Sequence, residues 1–376
     1  MPQAPTDAAE WSDVYSRCRC HKCVLREDDF YVEVFQSTCD APRSCGARPG
    51  AGLAGPIPGF LRRRELFCHY WVTAAGAQQG LLTTNFIYSY TPMTLPRGSS
   101  GHIAEVNQGT RRIVPNHHRE LSTVANSYTF DANYGITDRL GLQLTVPYLT
   151  RNHEHHHWHH DADEALGQFN DKGIGDVRVT AKYNVLPSLR SMLVAGLGVE
   201  LPTGDNTQIE RQGGLMEPSG QLGRGQAGLI GSLYQAYELI PHRLNQFTYV
   251  SYRHTFRNND GYQYGDEYIL NAGLNVVPVE TLPWLTVTGQ LNYRYMAHDS
   301  MVASQETGSR IVNRAVPNSG SSWLGAAPGV LVSFADTWQA YFYSQVPLMR
   351  DANNNLAQGM SYTFGVTKFF QLSGKS

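Results

Sequence analysis

Alternation of apolar with polar or small residues, at a period of two, constrains the fold of this chain more than any motif does. One segment carries apolar side chains at five alternate positions: Leu140, Leu142, Leu144, Val146 and Tyr148. Successive side chains of a β-strand point to opposite faces, so this segment predicts a strand with one lipid-like face and one polar face. The same phase recurs over residues 177–183 and 285–295.

Segments of this kind form a regular series between Gly80 and Phe370. We predict strands over residues 82–91, 121–134, 140–150, 175–186, 191–202, 225–236, 245–256, 266–277, 284–296, 323–333, 337–348 and 358–370. Short connections at 135–139, 187–190, 237–244, 278–283 and 334–336 alternate with long ones at 92–120, 151–174, 203–224, 257–265, 297–322 and 349–357. The predicted fold class is therefore all-β, a single antiparallel transmembrane β-barrel of about 12 strands with the long connections as outer loops.

The composition excludes several other classes of protein. The sequence has no uninterrupted apolar run of roughly 18 residues, the length that a membrane-spanning helix needs. A net charge of −2 and a charged fraction of 16% give no electrostatic reason to expect nucleic acid as a partner. A soluble propeller or sandwich would also alternate, but the aromatic residues crowd toward strand ends, and no blade-length repeat is visible.

Residues 1–78 differ from the predicted barrel, which we assign to residues 79–371. This irregular N-terminal segment contains all six cysteines of the chain: Cys18, Cys20, Cys23, Cys39, Cys45 and Cys68. The first three suggest a metal cluster, but a second pair at zinc-type spacing is missing. Residues 1–30 contain no apolar stretch typical of a signal peptide, which leaves two hypotheses open, a mis-assigned translation start or an unusual extension.

Several short sequences resemble one known family of outer-membrane proteins. They are GIGDVR at 173–178, AKY at 181–183, GVELPTGD at 198–205, GITDRL at 135–140, LTVPY at 144–148 and QVPL at 345–348. These residues resemble the outer-membrane family named for the meta-pathway of phenol degradation, and the similarity covers roughly 80–370. The resemblance implies a channel or transporter-like barrel with uptake of aromatic or other hydrophobic compounds, and it implies no catalytic residues.

One predicted outer loop is rich in histidine. It holds six of the fourteen histidines: His153, His155, His156, His157, His159 and His160. Neutral imidazoles bind zinc, copper or nickel, and Glu154 and Asp161 nearby add acceptors, so metal capture by this loop is one hypothesis. The other hypothesis is a solvated polar loop without a ligand, and no cofactor is otherwise expected.

Four charged residues are predicted to face the lumen: Arg178, Lys182, Glu200 and Arg294. Charges of both signs there can pair and brace the wall, or they can create a field that selects polar solutes. Twelve strands lie between a lumen filled by side chains and an open aqueous pore, so strand number does not decide between a plug and a channel.

The expected function is that of a channel for small, aromatic or hydrophobic compounds in a Gram-negative outer membrane. A metal-binding surface or uptake protein that acts through the histidines is the alternative, and an outer-membrane enzyme is a third hypothesis. His298, Asp299 and Ser300 lie together, but no nucleophile elbow is present, so we expect no enzyme. The expected partners are the lipid bilayer, small solutes and the barrel-assembly machinery, because the last strand ends on Phe369 and Phe370.

Overall fold

The computed structural model describes residues 78–372, apart from residues 109, 158–164, 189, 210–214 and 306–307. The predictions for the N-terminal segment and its cysteines therefore lie outside the described residues. The described part of the chain holds one three-residue 3₁₀ helix, Pro218–Gly220, and otherwise strands, turns and loops. None of the helices in that part has the length and apolar character needed to cross a membrane.

Eighteen strands are present among the described residues. In chain order they are β1 (Leu81–Thr94), β2 (His102–Asn107), β3 (Arg112–Gly135), β4 (Leu140–His157), β5 (Ala165–Ile174), β6 (Val177–Pro187), β7 (Ser191–Leu201), β8 (Gly228–Ile240), β9 (Leu244–Thr255), β10 (Tyr262–Gln263), β11 (Glu267–Val276), β12 (Leu285–Met296), β13 (Ser300–Gln305), β14 (Gly308–Ala315), β15 (Ser321–Phe334), β16 (Trp338–Asp351), β17 (Ala357–Gln358) and β18 (Ser361–Gln371).

Twelve of these strands close into one antiparallel barrel. Their order around the barrel is β1, β3, β4, β6, β7, β8, β9, β11, β12, β15, β16 and β18. Strand β1 closes the ring, because it pairs with β3 through Tyr88 and Tyr128 and with β18 through Tyr88 and Phe364. The predicted fold class is confirmed, and a closed ring leaves no barrel strand with an unpaired edge in the membrane.

The remaining strands lie at the end of the barrel that carries the long connections. Strand β2 pairs with β3, β5 pairs with β4, and β10, β13 and β14 form a separate three-stranded sheet. The predicted short turns are present, and several of the long connections contain strands that the sequence did not predict. Residues 151–157 continue β4, because β3 and β5 supply hydrogen-bonding partners on its two sides.

The outer face of the barrel is apolar and the inner face is polar. On β12, Val287 is 42% exposed and Leu291 is 53% exposed, whereas Thr286 and Thr288 between the outward positions are 2% and 3% exposed. A continuous apolar surface of this size is unfavourable in water and rare on soluble proteins, whereas a surface in contact with the hydrocarbon of a bilayer must be apolar. The alternation seen in the sequence therefore separates a lipid-facing surface from a polar lumen.

Aromatic rings form rows across neighbouring strands on the outer face. The Tyr128 ring lies 5.2 Å from Tyr88 and 6.4 Å from Tyr148, measured between centroids. A second row joins Tyr252, Tyr268 and Tyr295 at 5.1 and 6.0 Å. Such amphipathic rings are typical of the membrane interface, where the ring is apolar and the hydroxyl is wet.

Trp323, at the end of a predicted strand, does not belong to this outer girdle. It is 7% exposed, and its indole Nε1 donates to the Gln358 carbonyl oxygen at 3.2 Å. Trp323 shares the inward face of β15 with Ala327 and Leu331, so the phase of the strand turns this ring into the barrel.

A cluster of apolar and aromatic side chains fills the lumen toward the short turns. We call it the lumen floor: Val194, Tyr234, Ala236, Phe247, Leu331, Tyr341 and Tyr343. Two of its rings lie over glycines of the adjacent strand, since a Cβ on Gly365 would sit 1.6 Å from the Tyr341 hydroxyl and a Cβ on Gly329 would sit 2.3 Å from Cδ1 of Tyr343. Only glycine leaves room for these rings to lie flat against the wall.

Arginine substitutions at adjacent positions of β4 test the assignment of faces. Leu144 is 40% exposed on the outer face, whereas Thr145 faces the lumen and donates to Asp131. Leu144→Arg should cost about 2–4 kcal/mol of folding free energy in lipid vesicles, because the guanidinium would enter the bilayer. Thr145→Arg should fold with little loss, since Asp131 offers a carboxylate partner. Denaturant unfolding in vesicles measures both, and equal costs would show that the faces are assigned wrongly.

Candidate functional site

The candidate site is the lumen between the lumen floor and the outer end of the barrel. A cavity of about 340 Å³ lies there, and residues from nine barrel strands line it. Val194 and Tyr234 belong both to this cavity and to the lumen floor, so the cavity lies directly on the floor. Its wall is mixed in character, with hydroxyls such as Thr129 and Ser232, the aliphatic Ile230 and the ring of Tyr249.

Small residues beside a lysine open this cavity. Lys182 on β6 pairs across the strands with Gly196 on β7, which pairs with Ser232 on β8. A Cβ on Gly196 would lie 2.3 Å from the Ser232 hydroxyl oxygen, so a larger residue there would fill the space. The next inward row toward the short turns contains Tyr234 paired with Tyr249.

Arginine and glutamate side chains form a network on the lumen wall nearer the outer end. The Glu200 carboxylate, 1% exposed, contacts Arg178 Nε at 2.8 Å and an Arg253 guanidinium nitrogen at 3.0 Å. Arg253 also pairs with Glu267, which in turn binds Arg294. These ion pairs tie β6, β7, β9, β11 and β12 together from the inside.

The structure thus locates all four of the charged residues predicted to face the lumen. Arg178 and Lys182 line the cavity, and Glu200 and Arg294 belong to the arginine–glutamate network. Arg178, Glu200 and Arg294 are held in ion pairs, as the wall-bracing hypothesis expects. Lys182 is 8% exposed, lines the cavity and lies outside that network.

A segment from the connection between β7 and β8 folds across the outer mouth. We call residues 215–224 the outer bridge. Asp176 holds its base, since one carboxylate oxygen accepts from the Gly204 N–H at 3.0 Å and the other accepts from the Arg224 N–H at 2.8 Å. Arg151 on β4 donates to the carbonyl oxygens of Ser219 at 2.8 Å and of Gln221 at 3.0 Å.

The far side of the outer bridge reaches the opposite wall. The Tyr264 hydroxyl, just before β11, donates to the Pro218 carbonyl at 2.8 Å, and Arg224 donates to Thr255 Oγ1 on β9 at 2.6 Å. Strands β4 and β11 are the third and eighth of twelve around the barrel, so they lie on opposite sides of the mouth. The outer bridge is therefore held from both sides, by Arg151 on β4 and by Tyr264 before β11.

Histidines from two strands meet beneath one end of the bridge. His118 Nε2 on β3 lies 3.2 Å from Glu120 Oε1 and 3.8 Å from Glu217 Oε2 of the bridge. His153 Nε2 on β4 lies 3.2 Å from Glu120 Oε2, and the His155 ring lies 5.0 Å from the His153 ring. Glu217 Oε1 also accepts from the Val106 N–H at 3.0 Å.

The predicted histidine loop is therefore a strand for much of its length. His153 and His155 point into the barrel from β4, and His156 lies on the opposite side of that strand. Among the residues whose placement is described, no group of three or more His, Cys, Asp or Glu side chains is arranged to hold a metal ion. Metal binding stays a prediction that depends on His159 and His160, which lie outside the described residues, and on the side chain of His157, which is not described.

Burial and neighbouring charges shift the pKa values of two groups at this contact. Burial raises the pKa of Glu217 to about 7, although His118 and the Val106 N–H oppose the rise. For His118, burial lowers the pKa, but the hydrogen bond that its ring donates to Glu120 and the charges of Glu217, Glu120 and Glu105 outweigh it, so the pKa is raised above 6.5.

The residues of the enzyme hypothesis have structural partners in the outer loops. The Asp299 carboxylate accepts from the Tyr262 hydroxyl and from the Gly265 N–H, and Ser300 Oγ accepts from Arg257 at 3.1 Å. Asp299 therefore organises the turn before β11. Burial raises its pKa, although these hydrogen bonds oppose the rise.

Several residues of the lumen were not predicted from the sequence. Arg253, Glu267 and Asp131 lie in phase with inward residues of their own strands, so the alternation could have identified them. Arg224 and Glu217 come from an irregular connection, where the sequence carries no period and only the fold brings them to the mouth.

Comparison with known proteins shows that this chain is similar in fold to solved outer-membrane barrels. No protein-family model matches the chain, and no curated protein is significantly similar to it in sequence. A crystal structure of the COG4313 outer membrane channel from Pseudomonas putida F1 is similar with a TM-score of 0.51 and 13% identity, and the match covers 78% of this chain and 97% of that one. This similarity shows that the two barrels share a fold.

Two further solved structures match with lower scores. The CymD monoaromatic hydrocarbon channel has a TM-score of 0.39 and 10% identity, and the match covers 83% of this chain and 93% of that one. The toluene transporter TbuX from Ralstonia pickettii has a TM-score of 0.38 and 10% identity, and the match covers 78% of this chain and 90% of that one.

The pKa shifts predict a pH-dependent outer bridge. Once the bridge is released into water, Glu217 returns to its ordinary pKa of 4.5, so docking weakens as pH rises from about 4.5 to 7. The contribution of His118 has the same sign, since it is complete below 6.5 and lost as pH rises through the raised pKa. Conductance in planar bilayers should therefore be higher at pH 8 than at pH 5.

Glu217→Gln separates the contribution of Glu217 to the pH dependence from that of other titrating groups. The neutral amide keeps an acceptor for the Val106 N–H, so conductance should stay low and should lose most of its pH dependence. His242→Asn, on the exposed turn between β8 and β9, is the control and should keep the wild-type profile. A Glu217→Gln channel that keeps the full pH dependence would contradict this assignment.

Proposed function

We propose that this protein is a channel of the Gram-negative outer membrane for small aromatic or hydrophobic molecules. The observation that carries the proposal is the cavity of about 340 Å³ inside a closed, membrane-facing barrel. The protein acts as a passive conduit rather than as an enzyme, and its selectivity comes from the size and chemistry of this cavity.

The barrel supports the membrane location. Its closed hydrogen bonding, its apolar outer face and its rows of tyrosine meet the requirements of a bilayer, and barrels of this type are typical of the Gram-negative outer membrane. The shared fold with the COG4313 outer membrane channel is consistent with this location. We expect the barrel-assembly machinery to recognise β18, which ends on aromatic residues.

The shape of the lumen supports small solutes. The outer bridge above and the lumen floor below bound the cavity, so a solute that enters it contacts the tyrosines and hydroxyls of the cavity wall. An apolar cavity of about 150 Å³ already admits benzene, so the larger volume here accommodates one substituted ring. The sequence resemblance to the phenol meta-pathway family points to the same class of solute.

Current block in planar bilayers tests this function without interference from solutes that cross lipid unaided. The purified full-length chain should give a small ohmic conductance. Catechol should reduce this current in a concentration-dependent manner, because its single ring enters the cavity. Sucrose should not, because a disaccharide is too large for the path.

A matched pair of variants locates the conduction path. Ser232→Trp on the cavity wall should fill the space beside Gly196 and suppress the current. Leu233→Trp, at the neighbouring lipid-facing position, should leave the current unchanged. Absence of conductance in the wild-type barrel, or equal effects of the two substitutions, would overturn the proposal.

A further inference from the structure

The lumen cavity contains one cationic side chain that the fold leaves without a bonded partner. Lys182 is 8% exposed and lines the cavity. Across the part of the chain that the structure describes, no hydrogen bond or ion pair engages its ammonium group. Burial of an ammonium is unfavourable unless a carboxylate or other acceptor compensates it, so this position is suited to an anionic ligand.

The charged groups nearest to Lys182 do not take this role. The Asp131 carboxylate accepts from Thr145 Oγ1 and acts on Lys182 only through space. Arg178, the other cation at the cavity, lies nearer the outer end and pairs with Glu200 at 2.8 Å. Lys182 is therefore the cation of the cavity wall that no carboxylate bonds directly, and the space beside its ammonium favours a negatively charged group of a ligand.

Aromatic and aliphatic surface lies one step below the lysine. Two residues nearer the short turns, Gly196 on β7 is followed by Val194 and Ser232 on β8 by Tyr234, which pairs with Tyr249 on β9. Two residues of a strand span roughly 7 Å, so a ligand whose anionic group contacts Lys182 would place an adjoining ring against these side chains. Phenolic rings and a valine methyl surface suit an aromatic ring better than a polar sugar.

We propose that Lys182, Tyr234 and Tyr249 form a binding site for a monocyclic aromatic carboxylate inside the barrel. The carboxylate contacts the Lys182 ammonium, and the ring lies over the two tyrosines in the space that Gly196 and Ser232 leave open. This site deepens the proposed channel function, on which it rests, by giving the solute class a charge as well as a ring.

Calorimetry on the full-length protein in detergent tests the site, with benzoate and benzyl alcohol as probes of similar size. Wild-type protein should bind benzoate. Lys182→Met should weaken benzoate about tenfold, because a charge-assisted hydrogen bond is lost, and should leave benzyl alcohol unchanged. Acetate, which has the charge without the ring, should bind more weakly than benzoate to the wild-type protein.

Three further variants separate the lysine from general effects of charge. Lys182→Arg should retain benzoate binding. Lys172→Met removes the same charge from an exposed position on β5 and should match the wild type. Asp131→Asn should strengthen benzoate binding, because it removes the competing carboxylate. If Lys182→Met fails to fold, as judged by heat-modifiable migration on gels, Asp131→Asn and Lys182→Arg carry the test.

The outcomes distinguish this site from the channel function. Equal benzoate affinity in wild type and Lys182→Met, or loss of benzoate binding in Asp131→Asn, would overturn the site, and the second result would show that Lys182 and Asp131 serve only to brace the wall. The same preparations are measured in planar bilayers. Intact conductance without benzoate selectivity overturns the site alone, whereas absence of conductance overturns the proposed channel.

Discussion

Closure of the barrel through β1 is the constraint on which the rest of the structure depends. Ten residue pairs join β1 to β18, from Leu81 with Gln371 to Tyr90 with Tyr362, and β3 occupies the other edge of β1. In hydrocarbon an open edge would leave backbone N–H and C=O groups without partners, and each would cost several kcal/mol. The apolar outer face is tolerable only because this ring is complete.

Closure also creates the lumen and fixes what can fill it. A ring of twelve strands is too wide for single side chains to fill throughout, so the interior is divided into layers. Tyrosines over glycines form the lumen floor, ion pairs brace the wall nearer the outer end, and the outer bridge spans the mouth. The cavity lies where small residues, Gly196 and Ser232, interrupt this filling.

The sequence predicted the barrel wall well and its mouth poorly, for a physical reason. Every wall strand separates lipid from lumen, so a period of two is imposed on its residues and can be recognised, as at Leu144 and Thr145. Above the membrane that constraint ends. There, β4 continues through His153 although both of its faces are polar, and the contacts of Glu217 and Arg224 depend on how one connection folds across the mouth.

We infer that the lumen is a selective path in which Lys182 holds an anionic aromatic solute. Anomalous diffraction from crystals soaked in 4-bromobenzoate tests it most directly, because bromine marks the ring independently of any assay of transport. The account predicts one bromine peak inside the barrel, beside Tyr234 and Tyr249, and its absence in Lys182→Met crystals. Bromine found only at the lipid-facing surface, or an unchanged peak in Lys182→Met, would contradict it.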